Sequence, residues 1–353
     1  MKKYIILGLL ALVIGTMVIV PILKGTATEE ETDAAQFSFT NNLETTLNAV
    51  VPIEINLQSD EIQQLELIYN DSIFKIWKNP KGKISFLLNA SVFGLGVCSI
   101  SLNSTMKNGE IVTDNRLITV LSDSKPEMWT AEIVTSFPHS ALSYTQGLEF
   151  NDGVLYEGTG QYGQSIIGKS TLSTGTIDPA NSVKLTENYF GEGITVVGNE
   201  LFQLTWKEQK CFVYEKSSMK LLKEIPYTGE GWGLCNDGTS IIMSDGSERI
   251  TFRNPTTFSI ERVIEVYTNE GPISQLNELE YIDGKIYANI YTTNRIVVIE
   301  PSNGKVIALI DGTKIENEGR GLGEVMNGIA HTNGKTYLTG KHWAKMFEVT
   351  FKK

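Results

Sequence analysis

Between Tyr144 and Lys353 the chain states one local theme five times: a glycine-containing run of alternating apolar residues, a tight turn, then a strand carrying an aromatic or aliphatic residue. The turn-and-strand units are Asp152–Tyr156, Gly198–Phe202, Asp237–Ile242, Asp283–Tyr287 and Asn333–Tyr337. From Tyr156 the successive steps to Phe202, Ile242, Tyr287 and Tyr337 are 46, 40, 45 and 50 residues. A unit of this period, built from hairpins and period-two strands, is the size of one four-stranded blade of a β-propeller. About 220 residues, from about Thr130 to Lys353, divide into five such blades. Glu132–Phe137 precedes the first repeat and Met346–Phe351 ends the last. Their pairing would complete the final blade and remove an open sheet edge. A propeller brings every inner strand to one axis, so residues far apart in sequence can share one pocket.

At 353 residues the chain is long for one domain. Lys2 and Lys3 precede an uncharged apolar run, Tyr4–Leu23, broken only by Gly8, Gly15, Thr16 and Pro21. Such a run can span a bilayer, and it is longer than a usual signal-peptide core. Residues 1–24 are expected to be a signal anchor or a signal peptide. The paired lysines favour an inside N-terminus and an exported remainder, on the periplasmic or extracellular side of the cell envelope. Residues 25–42, with Glu29, Glu30, Glu31 and Asp33, read as a solvated linker. Residues 43–126 hold short strand patterns: Val51–Leu57, Gln64–Tyr69, Ile73–Trp77, Ile84–Asn89, Val97–Leu102 and Arg116–Leu121. They predict a small Ig-like β-sandwich. The expected class is therefore all-β, with the sandwich ahead of a five-bladed propeller at 130–353.

Several function classes drop out. A net charge of −11 lacks the basic face that nucleic acid requires. Cys98, Cys211 and Cys235 have no metal-ligand spacing and read as small buried hydrophobes. His139, His331 and His342 form no ligand pair, so a catalytic zinc is not expected. There is no nucleophile elbow and no Walker loop.

Aligning the repeats makes two positions recur. Ahead of each innermost strand stand Gln146, Glu192, Trp232, Asn277 and Asn327. Past each hairpin come Glu157–Gly160, Trp206, Asp245, Tyr291 and Lys341. Both rings open toward one end of the axis, where acid, base, amides and aromatics suit a small molecule or a chain end. Plainer readings compete. Gly147, Gly193, Gly233 and Gly328 suit tight backbone packing, and tryptophans in blades often pack between neighbours. Asp237 and Asp245 suit turns, and Glu316, Glu318 and Arg320 a solvated loop. Glu192, between two glycines in Phe190–Gly193, is harder to explain structurally.

The motifs in order are Tyr144–Leu148, Glu157–Gly163, Tyr189–Thr195, Gly231–Leu234, Ser244–Ser247, Leu276–Tyr281, Met326–Ala330 and Leu338–Trp343. This succession resembles the plant- and bacterial-type glutaminyl-peptide cyclotransferases over about residues 131–353. The resemblance implies a five-bladed propeller that turns N-terminal Gln of peptides and proteins into pyroglutamate, releasing ammonia without a catalytic metal. It implies that Glu192 is the general acid and base, with Lys341 and Asn277 on the substrate amide oxygen and intermediate. Gln146 lines the same pocket, and Phe190, Trp206 and Trp232 are its aromatic walls. Tyr144 stands where the plant-type pattern has Phe, and Tyr291 where it has Trp; both keep an aromatic surface and add a hydroxyl. The alternative is a non-catalytic propeller binding peptides or glycans at the cell envelope. A structural Ca²⁺ in the axial channel is compatible with the exposed carbonyls of such channels.

Overall fold

The computed structural model describes residues 34–353. The expected anchor or signal segment, 1–24, and the acidic start of the expected linker lie outside the described residues. Among the described residues no helix is long and apolar enough to cross a membrane. The architecture is all-β and propeller-like, as the period-two patterning requires.

The N-terminal part is two sheets over one core. Ala35–Phe37, Val50–Leu57 and Ile84–Asn89 form the first. The second runs, in spatial order, Asn42–Thr46, Ile111–Leu121, Gly96–Met106, Ile62–Tyr69 and Ser72–Lys78. Alternation sends Ile53, Ile55, Leu65, Leu67, Ile100 and Leu102 between the sheets, where all are buried. The expected linker 25–42 needs correction. Ala35–Phe37 pairs antiparallel with Ile55–Leu57, and Ala35 and Phe37 join the core. Asn42–Thr46 pairs in parallel with Leu117–Leu121. The chain is thus already folded at residues read as linker, because a three-residue strand is too short to show alternation.

The remainder starts with three antiparallel four-stranded sheets in chain order, 145–184, 191–226 and 234–265. An eight-stranded sheet follows. It joins four strands between Leu276 and Asp311 to Met326–Thr332, Lys335–Gly340 and Lys345–Lys352 through Glu127–Pro138. This joining strand pairs antiparallel with Lys345–Lys352 over Thr130–Pro138, the pairing expected to complete the last repeat. Its first residues, Glu127–Thr130, also pair in parallel with Ala308–Asp311, which the repeat pattern did not indicate. Positive φ at Asp283 (48°) and Gly284 (78°) explains the Asp-Gly turn signal, since primed hairpin turns match the strand twist. Glu316 and Glu318, expected with Arg320 in a solvated loop, fall in a short helix, Thr313–Gly319, seated by buried Ile315, with Arg320 at its C-terminal cap; Gly319 packs where a Cβ would meet Trp343 and Phe347.

The inner strands Thr145–Asn151, Gly191–Val197, Leu234–Asn236, Leu276–Ile282 and Met326–Thr332 contact one another in turn, and the last returns to the first. An inner-edge strand has N–H groups with no neighbouring strand to receive them. Buried carboxylates supply acceptors. Glu278 takes Leu148 N at 3.1 Å and Ile329 N at 2.8 Å, Glu149 takes Val196 N at 3.2 Å, and Glu280 takes His331 N at 2.8 Å. The two parts of the chain also interlock. Tyr267 is buried in the N-terminal core, Ser122 N donates to Thr268 O at 3.0 Å, and Lys305 pairs with Asp123 at 2.6 Å.

Candidate active site

The inner strands break register where side chains are needed. Glu192 and Gly193 oppose one residue between Gly191 and Ile194. Asn277 and Glu278 do so between Leu276 and Leu279, and Asn327 and Gly328 between Met326 and Ile329. Gln146 falls in a similar slip between Thr145 and Gly147. A bulge leaves residues unpaired, bends the strand and re-aims its side chains. The glycines let the strands close up. Gly193 N donates to Trp232 O at 2.7 Å, and a Cβ on Gly193 would lie 2.5–2.7 Å from the backbone of Trp232, Gly233 and Leu234. Their reading as close-packing positions is therefore the physical one.

One cavity of about 160 Å³ takes its polar lining from Gln146, Glu192, Asn277 and Lys341. Its aromatic lining is Tyr144, Phe190, Trp206, Trp232 and Tyr291. All nine residues proposed from the sequence thus face the same space. Gln146 is the centre of the polar line: its Nε2 donates to Glu192 Oε1 at 2.8 Å, while its Oε1 accepts from Lys341 Nζ and from Asn327 Nδ2 at 3.3 Å. The carboxylate demands a donor and the two amino groups an acceptor, so this is the amide orientation the chemistry requires. Asn327 is held behind the cavity by a second bond to Thr145 O at 2.9 Å. Asn277 Oδ1 is buried with no hydrogen-bond partner among the described residues.

Burial pushes the Glu192 carboxyl well above its ordinary 4.5; Lys341 works against the rise, and Glu230 and Glu208 add to it. Burial pushes Lys341 down to about 8, with Glu192 and then Glu324 resisting. The aromatics brace one another edge to face. Phe190 and Trp206 have centroids 5.6 Å apart, Tyr144 and Phe190 6.1 Å, and Trp232 and Tyr291 5.5 Å. Lys341 Nζ lies 4.3 Å from the Tyr144 centroid and 5.3 Å from that of Tyr291, each a cation–π distance. Gly160 has no Cβ because the Phe190 ring occupies that space. An acid and a base of displaced pKa, joined through an amide in an aromatic slot, can move a proton beside a bound chain end and steady a developing oxyanion.

Other residues from the two rings do different work. Asp245 Oδ1 accepts from Ser247 N at 3.0 Å, and Asp237 Oδ1 from Thr239 N at 2.8 Å, so both shape turns. Glu157 turns away from the cavity and binds Thr145 Oγ1 at 2.9 Å and His139 Nε2 at 3.1 Å. The sequence reading passed over Glu208, Glu230 and Glu324. Glu208 receives the Tyr162 hydroxyl at 2.8 Å. Burial raises the Tyr144 hydroxyl well above its ordinary value, with Tyr291 and Glu324 beside it adding to the rise. These acids lie outside both rings, and no spacing distinguishes them from solvated loop residues.

A protein-family model described as glutamine cyclotransferase matches residues 102–351. A glutaminyl-peptide cyclotransferase of Arabidopsis thaliana is 34% identical over 230 residues, which cover 63% of this chain and 71% of that protein. The crystal structure of Myxococcus xanthus glutaminyl cyclase superposes with a TM-score of 0.60 at 32% identity, covering 65% of this chain and 99% of that one. About a third of this chain is unmatched by either relative.

Proposed function

The chain belongs to the glutamine cyclotransferase family, and from that premise we infer how its own residues carry the reaction. The activity is conversion of N-terminal Gln of a peptide to pyroglutamate with release of ammonia. In the scheme, the neutral α-amine attacks the side-chain amide carbon, forming the ring C–N bond and sending the carbonyl electron pair to oxygen. Glu192 takes the proton shed by the attacking nitrogen. The tetrahedral intermediate then collapses, and Glu192 returns that proton to the departing nitrogen, which leaves as ammonia. Lys341 and Asn277 serve the amide oxygen as it becomes an oxyanion. Gln146 holds Glu192 and Lys341 in one hydrogen-bonded line. Tyr144, Phe190, Trp206, Trp232 and Tyr291 enclose the glutamine side chain and limit water.

The observation that carries this reading is the line Lys341–Gln146–Glu192 inside one aromatic-walled cavity. The purified protein, given a Gln-initiated peptide, should release ammonia and leave a product lighter by one ammonia. Glu192→Gln keeps the volume but cannot accept a proton, and turnover should fall about 10²–10⁴-fold. Unchanged turnover in that variant would remove Glu192 from the role. The binding-only alternative is not favoured, because family membership and an intact acid, lysine and amide set point the same way.

The wider architecture is part of the proposal. The closed circuit of inner strands supports five blades with Glu127–Pro138 as the closing strand, and the two-sheet core supports an Ig-like sandwich ahead of them. Residues 1–24 are proposed to hold the protein at the cell envelope, facing exported peptides. No step of the scheme calls on a metal. Among the described residues no three His, Cys, Asp or Glu side chains are grouped to hold a metal ion, and Glu149, Glu278 and Glu280 accept backbone N–H groups, so an axial Ca²⁺ would rest on backbone carbonyls.

A further inference from the structure

Trp206 follows a strand of one sheet and Trp232 precedes a strand of the next, yet both indole N–H groups end on one atom. Glu230 Oε2 accepts from Trp206 Nε1 at 2.8 Å and from Trp232 Nε1 at 3.0 Å. Its other oxygen lies 3.8 Å from Lys207 Nζ, and that ammonium sits 3.9 Å from the centroid of Trp206. The backbone locks the same corner, with Gly231 N donating to Trp206 O at 3.0 Å. On its far side the Trp232 ring rests on Gly246, where a Cβ would stand 2.6 Å from the ring. Trp232 is thus pressed from behind and tethered at its N–H, while Trp206 is tethered at its N–H and covered by Lys207. An indole in a cavity wall can otherwise turn about its side-chain torsions, and a charged acceptor shared by two indoles fixes both planes together.

We infer that Glu230 is a positioning residue for the cyclisation, setting the tilt and separation of the two tryptophan walls that receive the substrate glutamine. It rests on the cyclase reading, because the walls matter only if a glutamine side chain enters between them. The Glu230 side chain is 41% exposed, so its loss leaves no core cavity and should act on substrate capture more than on the fold. Binding lost with a loosened wall reaches KM, whereas Glu192 keeps its bond to Gln146 and its place in the cavity.

Two substitutions separate brace from charge. Glu230→Gln retains an amide oxygen able to accept both indoles; Glu230→Ala retains nothing. With the full-length protein and a Gln-initiated peptide, Glu230→Ala should raise KM about ten-fold and change kcat less than about three-fold. Glu230→Gln should stay within about two-fold of wild type in both. Acrylamide quenching of tryptophan emission should rise in Glu230→Ala and not in Glu230→Gln. A Glu230→Ala enzyme with wild-type KM and quenching overturns the brace. So does a Glu230→Gln enzyme as impaired as Glu230→Ala, since charge rather than hydrogen bonding would then be what matters. Should wild type itself fail to cyclise the peptide, the cyclase reading falls, and the quenching comparison still decides whether Glu230 holds the walls.

Discussion

A general base that relieves an amine of its proton near neutrality works best with a pKa close to the working pH. Burial raises Glu192 well above the ordinary carboxylate range, and Lys341 beside it restrains the rise. The lysine moves the other way, down to about 8 from 10.5, so its stabilising charge is present below about pH 8 and lost above it. The kcat profile should therefore be bell-shaped. Its acid limb, set by ionisation of Glu192, should lie above the ordinary carboxylate range, and its alkaline limb close to pH 8. Lys341→Met should lower kcat about 10²-fold and abolish the alkaline limb; a limb that persists in that variant would show that another group titrates there. Using kcat rather than kcat/KM excludes titration of the free substrate amine. Seven of the nine lining residues were legible because the repeat alignment assigns each to one of two rings around an axis; Tyr144 and Phe190, two residues ahead of the first ring, came from the family resemblance alone. Glu230 was not, because an indole-to-carboxylate bond made from a loop leaves no periodic trace. Tyr144 and Tyr291, each a departure from the plant-type pattern, prove to share the Lys341 ammonium, a pairing no single-position reading could reveal.

At the scale of elements, the bulged inner strand is what turns a repeat into a site. A regular strand at Gly191–Val197 would send alternate side chains into the faces between sheets; the slip at Glu192–Gly193 aims the carboxylate at the cavity instead. Gly193→Ala tests this. Its methyl would press on backbone from Trp232 to Leu234, and backbone cannot rotate aside as a side chain can. The expected loss is about 1–3 kcal/mol of stability, seen as a lowered Tm, with a larger fall in kcat because Glu192 and Trp232 both shift. A variant with wild-type Tm and kcat would mean that the strands can separate without consequence. Elements of at least six residues with clean alternation were visible in the sequence, Val50–Leu57 and Ile84–Asn89 among them. Ala35–Phe37 was hidden by its length, and Thr313–Gly319 by having Ile315 and Gly319 as its only buried residues. Pairing of Glu127–Thr130 with a second partner was hidden for another reason: alternation says which face is buried, and nothing about which strand lies alongside.

Across the whole molecule, the centre is held by acids that the sequence does not distinguish from surface ones. Glu278 stands where other repeats carry glycine, and its two oxygens tie Leu148 and Ile329 across the axis. Burial raises Glu278 and Glu280 well above 4.5 and Glu149 to about 7. Their folded pKa values exceed the unfolded ones, so the folded state binds more protons between the two, and stability must fall as pH rises through that window. The contribution is complete below about 4.5 and, for Glu149, lost as pH rises through about 7. For Glu149 alone the difference is at most about 3 kcal/mol. Surface carboxylates such as Asp123, lowered by its bonds to Lys305 and Asn48, act in the opposite sense, but only at more acid pH. Thermal melts should therefore show a maximum near pH 5 and a decline toward pH 8. Glu149→Gln keeps an oxygen for Val196 N and removes the titration, so its Tm should decline less steeply over the same range. Parallel curves for variant and wild type would show that Glu149 folds already ionised, held so by Thr195, Val196 N and the Lys216 charge.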